Sequence, residues 1–584
     1  MSAVQAKIEK AAQMLGTGRA DSALALLQGL ARTHPGDADV AGMLCLALTR
    51  LGRFEQAAHY GLRACELRPG DASLVYHAAH ALQGSGRGAE ARSLLERGVS
   101  QSPADAPLRL ALANALLDDY RAADALTHCE AALTRGMDAQ IVVTYAGALL
   151  SLCEPARAIE ALRTAMVTCA EHDNVIAALA SALNYAPGTD PAESLRVHRR
   201  YGELLERDVP PHRPVPRVTR GRAGRLRIGF LSPDLRTHSV AFFLEPLIEH
   251  LDPGAFESVA YFTSMHADAT TARLRPKFGL WRECHGKTPL QIAAMIADDR
   301  VDILVDLAGH TQGSGLLVLA LKPAPLQVTY LGYPNTTGLR AVDLRVVDSL
   351  TDPAGSEAFA TEQLVRLDPC FLCYRPPTDA PEPALTPHEG VVFGSFNASQ
   401  KINRPLLNLW ARVLRTVPGS RLKLKSLLGL REPGVRAFFE RAFAEEGIDP
   451  SRVECLHAAT TTREHLALYS GIDIALDTQP YHGTTTTCEA LWMGVPVVTL
   501  AGAVHAQRVG VSLLSAAGLP ELIARDEDAY VRIAAELAGD PPRLAALRRD
   551  LRARVAASPL CDERGFAARF GGAMLSAWNT APDA

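Results

Sequence analysis

A spacing of 34 residues runs through the first third of the chain. Pro35, Pro69 and Pro103 stand in this register, followed by G-D-A, G-D-A and A-D-A, and Met137 and Glu171 take the next two places. Gly18, Gly52 and Gly86 keep the same spacing, as do Ala23, Ala57, Ala91 and Ala125. A glycine at a turn, a small residue just after it and a proline at the exit predict one helix pair per repeat, with close helix approach at the small residue. Such a pair cannot bury its own apolar face, so neighbours must stack into a superhelix with a concave side. About five repeats are expected between residues 6 and 186. The D-A-D of Asp37 to Asp39 imitates a metal-binding carboxylate pair, but its place in the exit turn predicts a helix cap.

This pattern resembles the tetratricopeptide repeat, whose groove suits an extended peptide; a pure scaffold or spacer is the other reading. The chain of 584 residues is too long for one core. Its 48% hydrophobic and 21% charged residues are ordinary for folded material, and a net charge of −4 offers no field to recruit nucleic acid or an acidic membrane. The polar start M-S-A-V-Q-A-K-I-E-K and the lack of any apolar run near ~18 residues lead us to expect a cytoplasmic protein. Among eleven cysteines the one close pair, Cys370 and Cys373, lies in a strand-like apolar run, so reduced thiols and no zinc are expected.

After a helical stretch from Ser194 to Glu206, D-V-P-P-H-R-P-V-P-R-V-T-R-G-R-A-G-R reads as a linker. The style then changes. L-R-I-G-F-L-S, V-D-I-L-V-D-L-A-G, L-Q-V-T-Y-L-G-Y and D-L-R-V-V-D read as buried strands alternating with helices, a parallel α/β sheet. A second start at V-V-F-G-S-F-N leads through R-L-K-L-K-S, R-V-E-C-L, I-D-I-A-L-D-T and P-V-V-T-L-A-G. The expected division is repeats at 1–190, helix and linker at 191–225, and Rossmann-like domains at 226–385 and 386–584. Two such domains place a cleft between the carboxyl ends of their strands.

Polar clusters fall just after these strands: His238, then His310 and Thr311, in the first domain; Asn397 and Lys401, His465, and Thr484, Thr485, Thr486 and Thr487 with Glu489 in the second. Hydroxyls, amides and one lysine, without a carboxylate cluster, form an anion-binding vocabulary. The four threonines are either a capping run or a phosphate cradle at a helix N-terminus. Lys401 could charge-neutralise a departing diphosphate without a metal.

The blocks L-R-I-G-F-L-S-P-D-L-R-T-H-S-V, D-L-A-G-H-T, K-P-A-P-L-Q-V-T-Y-L-G-Y-P-N-T-T-G, F-G-S-F-N-A-S-Q-K-I, D-T-Q-P-Y-H-G-T-T-T-T-C-E-A-L-W-M-G and H-A-Q-R-V-G-V-S-L-L, behind the repeats, resemble the protein O-GlcNAc transferase/SPINDLY family. The resemblance implies a GT-B fold and an inverting, metal-independent transfer of sugar from a nucleotide donor to serine or threonine of proteins. It implies no cofactor. It places Lys401 on the donor diphosphate, His238 as the active-site histidine, either the base or a residue that only orients the acceptor while solvent or a phosphate oxygen takes the proton, and His465 near the nucleotide base. Thr485 and Thr486 match the pair on the phosphates, and Glu489 the acidic residue on the ribose. Thr484, Thr487 and Ala398 depart from the O-GlcNAc transferase pattern, and the blocks run toward SPINDLY. GDP-fucose is therefore the favoured donor, with UDP-GlcNAc the alternative. A repeat scaffold that senses a nucleotide sugar without transferring it is the rival class. Expected partners are acceptor proteins or peptides in the repeat groove, with a homodimer possible for repeats of this type.

Overall fold

The computed structural model describes residues 3–207, 209, 224–426, 433–457 and 459–580. The chain divides into two compact units, Met1–Leu152 and Cys153–Ala584. The first holds nine helices among its described residues: α1 (Ala3–Gly16), α2 (Ala20–Thr33), α3 (Ala38–Arg50), α4 (Phe54–Leu67), α5 (Ala72–Gly84), α6 (Gly88–Gln101), α7 (Ala106–Asp118), α8 (Ala122–Leu133) and α9 (Ala139–Ser151). The repeat register now has physical causes. Asp37, Asp71 and Asp105 are the N-caps of α3, α5 and α7, each accepting first-turn N–H groups through its carboxylate. Gly18, Gly52 and Gly86 adopt φ of +75°, +71° and +79°. Tyr120 fills the same slot at +60°, a left-handed position that most side chains disfavour. Ala23, Ala57, Ala91 and Ala125 are all fully buried.

The second unit opens with α10 (Pro155–Thr168), α11 (Asp173–Ala182) and α12 (Pro191–Arg207). α11 and α12 pack together as a helix pair, so helix pairing runs past residue 186, where the sequence suggested the repeats stop. The compact division likewise falls at Leu152, not near residue 190. Most of the proline- and arginine-rich stretch expected as a linker lies outside the described residues.

Then come β1 (Leu226–Ser232), α13 (Ser239–His250), β2 (Phe256–Phe262), α14 (Ala269–Leu274), β3 (Leu280–Glu283), α15 (Pro289–Asp298), β4 (Ile303–Asp306), α16 (Leu316–Ala320), β5 (Leu326–Thr329), β6 (Leu344–Val347) and β7 (Gln363–Arg366). They form a sheet of order β3-β2-β1-β4-β5-β6-β7. The second sheet is built from β8 (Val392–Ser395), α17 (Arg404–Thr416), β9 (Arg421–Leu424), α18 (Pro433–Glu445), β10 (Val453–Cys455), α19 (Thr462–Ala467), β11 (Ile474–Leu476), α20 (Thr485–Trp492), β12 (Val497–Leu500), α21 (Val509–Ala516) and β13 (Ile523–Ala524), in order β10-β9-β8-β11-β12-β13. Every strand pairing is parallel, including β1 with β4 and β8 with β11. Two doubly wound sheets are the GT-B architecture that the sequence implied.

Three contacts hold this unit together. The chain ends in α22 (Glu527–Ala538), α23 (Pro541–Ala556) and α24 (Glu563–Thr580), and α24 packs on α13 of the first sheet. A division at residue 386 therefore misplaces the last helix, whose Glu563 pairs with His250 and Arg375. The loop after β12 and the start of α21 clasp the first sheet: His505 Nδ1 lies 2.5 Å from Asp352, Arg508 donates to the Leu350 carbonyl, and Ser512 of α21 donates to Asp348. Finally, α12 meets the β5–β6 loop backbone to backbone. A Cβ on Gly202 would lie 2.1 Å from the Gly338 carbonyl oxygen, and one on Gly338 would lie 2.0 Å from that of His198.

Candidate functional site

Open α/β sheets bind ligands at the carboxyl ends of strands where the strand order reverses. Those points are β1/β4 in the first sheet and β8/β11 in the second. His238 follows β1, His310 and Thr311 follow β4, Asn397 and Lys401 follow β8, and the threonine run with Glu489 follows β11. His465 stands apart, on α19 after β10. Topology alone thus gathers most of the candidates at two places.

Lys401 ends a 3₁₀ turn after β8. Its Nζ donates to the carbonyl of His482 at 2.7 Å and lies 4.1 Å from the centre of the Tyr481 ring. Among the described residues no carboxylate pairs with it, and burial pushes its ammonium down to about 8 against the pull of Asp477. The loop carrying these partners is itself pinned. His482 accepts the Gly510 N–H at Nδ1 and faces Gln479 Oε1 and the Leu500 carbonyl with Nε2, so its proton sits on Nε2. Asp477 accepts from Thr478 N, Gly483 N and Thr499 Oγ1.

The threonines open α20, but not as a side-chain cap. Thr484 occupies the N-cap position with φ −112° and ψ −80° and makes no capping hydrogen bond. The reading of the run as a capping device is therefore corrected: the first-turn N–H groups are left uncapped by side chains, the condition for an anion site. Thr487 Oγ1 turns back to the Gly483 carbonyl, whereas Thr485 Oγ1 is buried without a partner. Asn397 Oδ1 is likewise buried and unpartnered. It borders the same helix, since a Cβ on Gly483 would lie 2.8 Å from Thr487 Oγ1, 3.0 Å from Asn397 Oδ1 and 3.2 Å from Asp477 Oδ1. Only glycine leaves these three polar atoms in place.

One turn into α20, Glu489 Oε2 lies 2.9 Å from His465 Nε2, and Lys425, just past β9, reaches His465 Nδ1 at 2.8 Å. An ammonium only donates, so His465 accepts at Nδ1 and donates from Nε2 to the carboxylate. Phe396 and Tyr469 flank the imidazole ring.

The first sheet presents its candidates differently. His238 is the N-cap of α13, its Nδ1 accepting the Val240 N–H at 3.3 Å with Asp234 at 3.7 Å. Burial lowers its pKa against the pull of Asp234; because Nδ1 accepts the Val240 N–H, a neutral ring carries its proton at Nε2. In this tautomer Nε2 carries the free N–H, which suits the orienting role expected as the alternative to the base. Thr311 Oγ1 bonds the Ala308 carbonyl. His310 donates from Nε2 to the Thr337 carbonyl, is pushed by burial down to about 4, and keeps an unpartnered Nδ1. Its ring packs against Tyr201, His198 and Tyr333.

Residues just past α11 lie between the two switch points. Asn184 donates to Tyr333 Oη at 2.9 Å, and the neighbouring Tyr185 stacks on Tyr481 with ring centres 5.1 Å apart. His310 and Lys401 thus border one aromatic cluster. Sequence reasoning assigned no role to Lys425, Asp477, Tyr481 or His482. The visible signal was position, since Lys425 and Asp477 both directly follow strands. Among the described residues no group of three or more His, Cys, Asp or Glu could hold a metal ion, and no helix is long and apolar enough to cross a membrane. The eleven cysteines are free, and burial pushes Cys370 up to about 12.

Residues 208–374 and 383–570 match the model of Glycosyl transferase family 41. SPINDLY of Arabidopsis thaliana, named a probable UDP-N-acetylglucosamine–peptide N-acetylglucosaminyltransferase, is 45% identical over 361 residues, covering 60% of this chain and 39% of that protein. SEC of the same plant, similarly named, is 29% identical over 412 residues, 67% of this chain and 42% of its own length. The chain thus spans about two fifths of these relatives. The solved structure of a lysine-to-methionine mutant of Thermobaculum terrenum O-GlcNAc transferase superposes with a TM-score of 0.81 at 34% identity, covering 87% of this chain and 97% of that one.

Proposed function

The chain belongs to glycosyltransferase family 41, and from that premise we propose that it transfers a sugar from a nucleoside-diphosphate donor to serine or threonine hydroxyls of proteins. One observation carries the reading: at the second switch point a lysine without a carboxylate partner faces a loop that leads into a helix with no side-chain cap, beside the unpartnered oxygens of Asn397 and Thr485. These groups suit a diphosphate. The acceptor oxygen attacks the anomeric carbon from the face opposite the diphosphate, the bond from that carbon to the phosphate oxygen breaks, and the electron pair leaves with the phosphate. Lys401 and the first-turn N–H groups of α20 stabilise that charge, and no metal or cofactor is assigned to the step. His238, with its Nδ1 engaged by α13, orients the acceptor or a phosphate oxygen through Nε2–H, and the acceptor proton passes to a phosphate oxygen or water. The helical repeats hold the acceptor polypeptide.

GDP-fucose is the favoured donor, because Thr484, Thr487 and the surrounding blocks side with SPINDLY. UDP-GlcNAc is the alternative, and it is the donor in the relatives' names. The deciding experiment incubates the protein with radiolabelled GDP-fucose or UDP-GlcNAc and a cell lysate. Label on protein from one donor, lost in Lys401→Ala, is expected. Tight donor binding without transfer to any protein overturns the enzyme in favour of a sensor.

A further inference from the structure

Lys425 lies at the carboxyl end of β9, next to β8, and is 3% exposed. Its ammonium holds His465 Nδ1, and His465 Nε2–H in turn holds Oε2 of Glu489, itself 7% exposed. A buried carboxylate is costly unless compensated, and a neutral imidazole alone compensates little of its charge. Lys425 supplies the missing positive charge through the ring, and fixes the tautomer by which the ring can donate. A histidine relieved of this partner could carry its proton on either nitrogen, and with the proton on Nδ1 the Glu489 bond is lost. With Oε2 engaged, Glu489 keeps its second oxygen for one further donor.

We infer that Lys425 is a positioning residue for the nucleoside half of the donor site, acting through His465 to present one oxygen of Glu489 to a ribose hydroxyl. The inference rests on the nucleotide-sugar reading above. It divides the site into two parts that respond separately. The diphosphate part consists of Lys401, Asn397 and the start of α20; the nucleoside part is the row Lys425–His465–Glu489, joined to the first through α20 and through Phe396, which packs on His465 beside Asn397.

The test measures binding of GDP, UDP and inorganic pyrophosphate by calorimetry, with 2′-deoxy and 3′-deoxy nucleoside diphosphates as further probes. In Lys425→Met, affinity for the better nucleoside diphosphate falls about 10- to 30-fold, the size of one lost charge-assisted hydrogen bond, while pyrophosphate affinity stays within about twofold. One deoxy probe binds the unaltered protein more weakly than its parent, and that difference shrinks in Lys425→Met. Glu489→Gln reproduces the loss, and the double variant adds little to either single change. Lys425→Arg restores part of the affinity. Unchanged nucleoside diphosphate binding in Lys425→Met overturns the inference, as does an equal fall for pyrophosphate, which would mark a general collapse of the site. If the unaltered chain binds neither GDP nor UDP, the nucleotide-sugar reading falls and this inference with it.

Discussion

The two α/β sheets have the same topology at their reversal points and treat the polar groups there in opposite ways. At the first, His238 caps α13, Thr311 bonds its own turn, and Asp306 accepts from Ala308, Gly309 and Thr329; the buried Nδ1 of His310 and Nε of Arg236 are exceptions. At the second, among the described residues no carboxylate pairs directly with Lys401, α20 has no side-chain cap, and the buried oxygens of Asn397 and Thr485 have no partner. Buried polar groups are ordinarily satisfied, so open oxygens beside a helix N-terminus without a side-chain cap suit an anion. Hydrogen bonding distinguishes the two reversal points, and on the reading proposed above the first orients while the second binds charge.

The strongest break of that contrast is Lys401→Met. Transfer should fall by more than about 10³-fold, since the charge that stabilises the leaving diphosphate is gone. The apo protein should become more stable. An ammonium held near 8 rather than 10.5 costs the fold about 3 kcal/mol while it is charged, and net of the bond to the His482 carbonyl the variant gains about 1–2 kcal/mol. The sign follows from the lowered pKa: the penalty is complete below pH 8, shrinks above it and is absent above 10.5. Melting curves at pH 7 and pH 10.5 check this, the variant's advantage being confined to the lower pH. In the unaltered protein a bound diphosphate raises the lysine's pKa, so donor affinity is flat below about pH 8 and declines above it.

Gly483→Ala comes next. Its Cβ would crowd Thr487 Oγ1, Asn397 Oδ1 and Asp477 Oδ1 together, and relief of such overpacking costs about 1–3 kcal/mol. Donor affinity should fall about 10- to 100-fold by calorimetry, with the repeat unit's own unfolding unaltered. A wild-type affinity would mean that the anion site lies elsewhere.

How much of this was legible follows from the same contrast. Lys401, Asn397 and the threonine run were readable because they are unusual residue types directly after strand runs. Their arrangement was not, because Lys401 is held by a carbonyl and a ring some eighty residues away, and the exposure of the α20 N–H groups depends on a loop tied down by Asp477 and His482. His238 was legible as a residue, but which of its nitrogens is free depends on the local turn that makes it an N-cap. The repeat period was legible throughout, since aspartate caps and left-handed turns are local. β2 was missed because Glu257 and Ser258 interrupt its apolar run, and the return of α24 to the first sheet has no local signal.

A smaller effect separates orienting from proton abstraction in the first half. His238→Asn keeps an N-cap acceptor but removes Nε2, and His238→Gln keeps an N–H donor near that position. If the ring only orients, the Asn variant should lose about 10- to 100-fold in kcat and the Gln variant clearly less. Equal losses beyond about 10³-fold, with the acid limb of the pH–rate profile abolished, would restore the base.

The smallest effect tests the caps themselves. Asp268 caps α14 in a reciprocal box with Thr271, and its loss to alanine should cost about 1–2 kcal/mol by chemical denaturation. Thr484 stands at the corresponding place on α20 but forms no such bond, so Thr484→Ala should cost less than about 0.5 kcal/mol. If both substitutions cost alike, Thr484 caps α20 in solution, its helix is no longer open to an anion, and the distinction between the two sheets fails. If they differ as expected, adding GDP or UDP should stabilise the unaltered protein by an amount that grows with the logarithm of ligand concentration, while Lys401→Met shows little of that rise. The helix left without a cap by its own side chains is then the one a ligand closes.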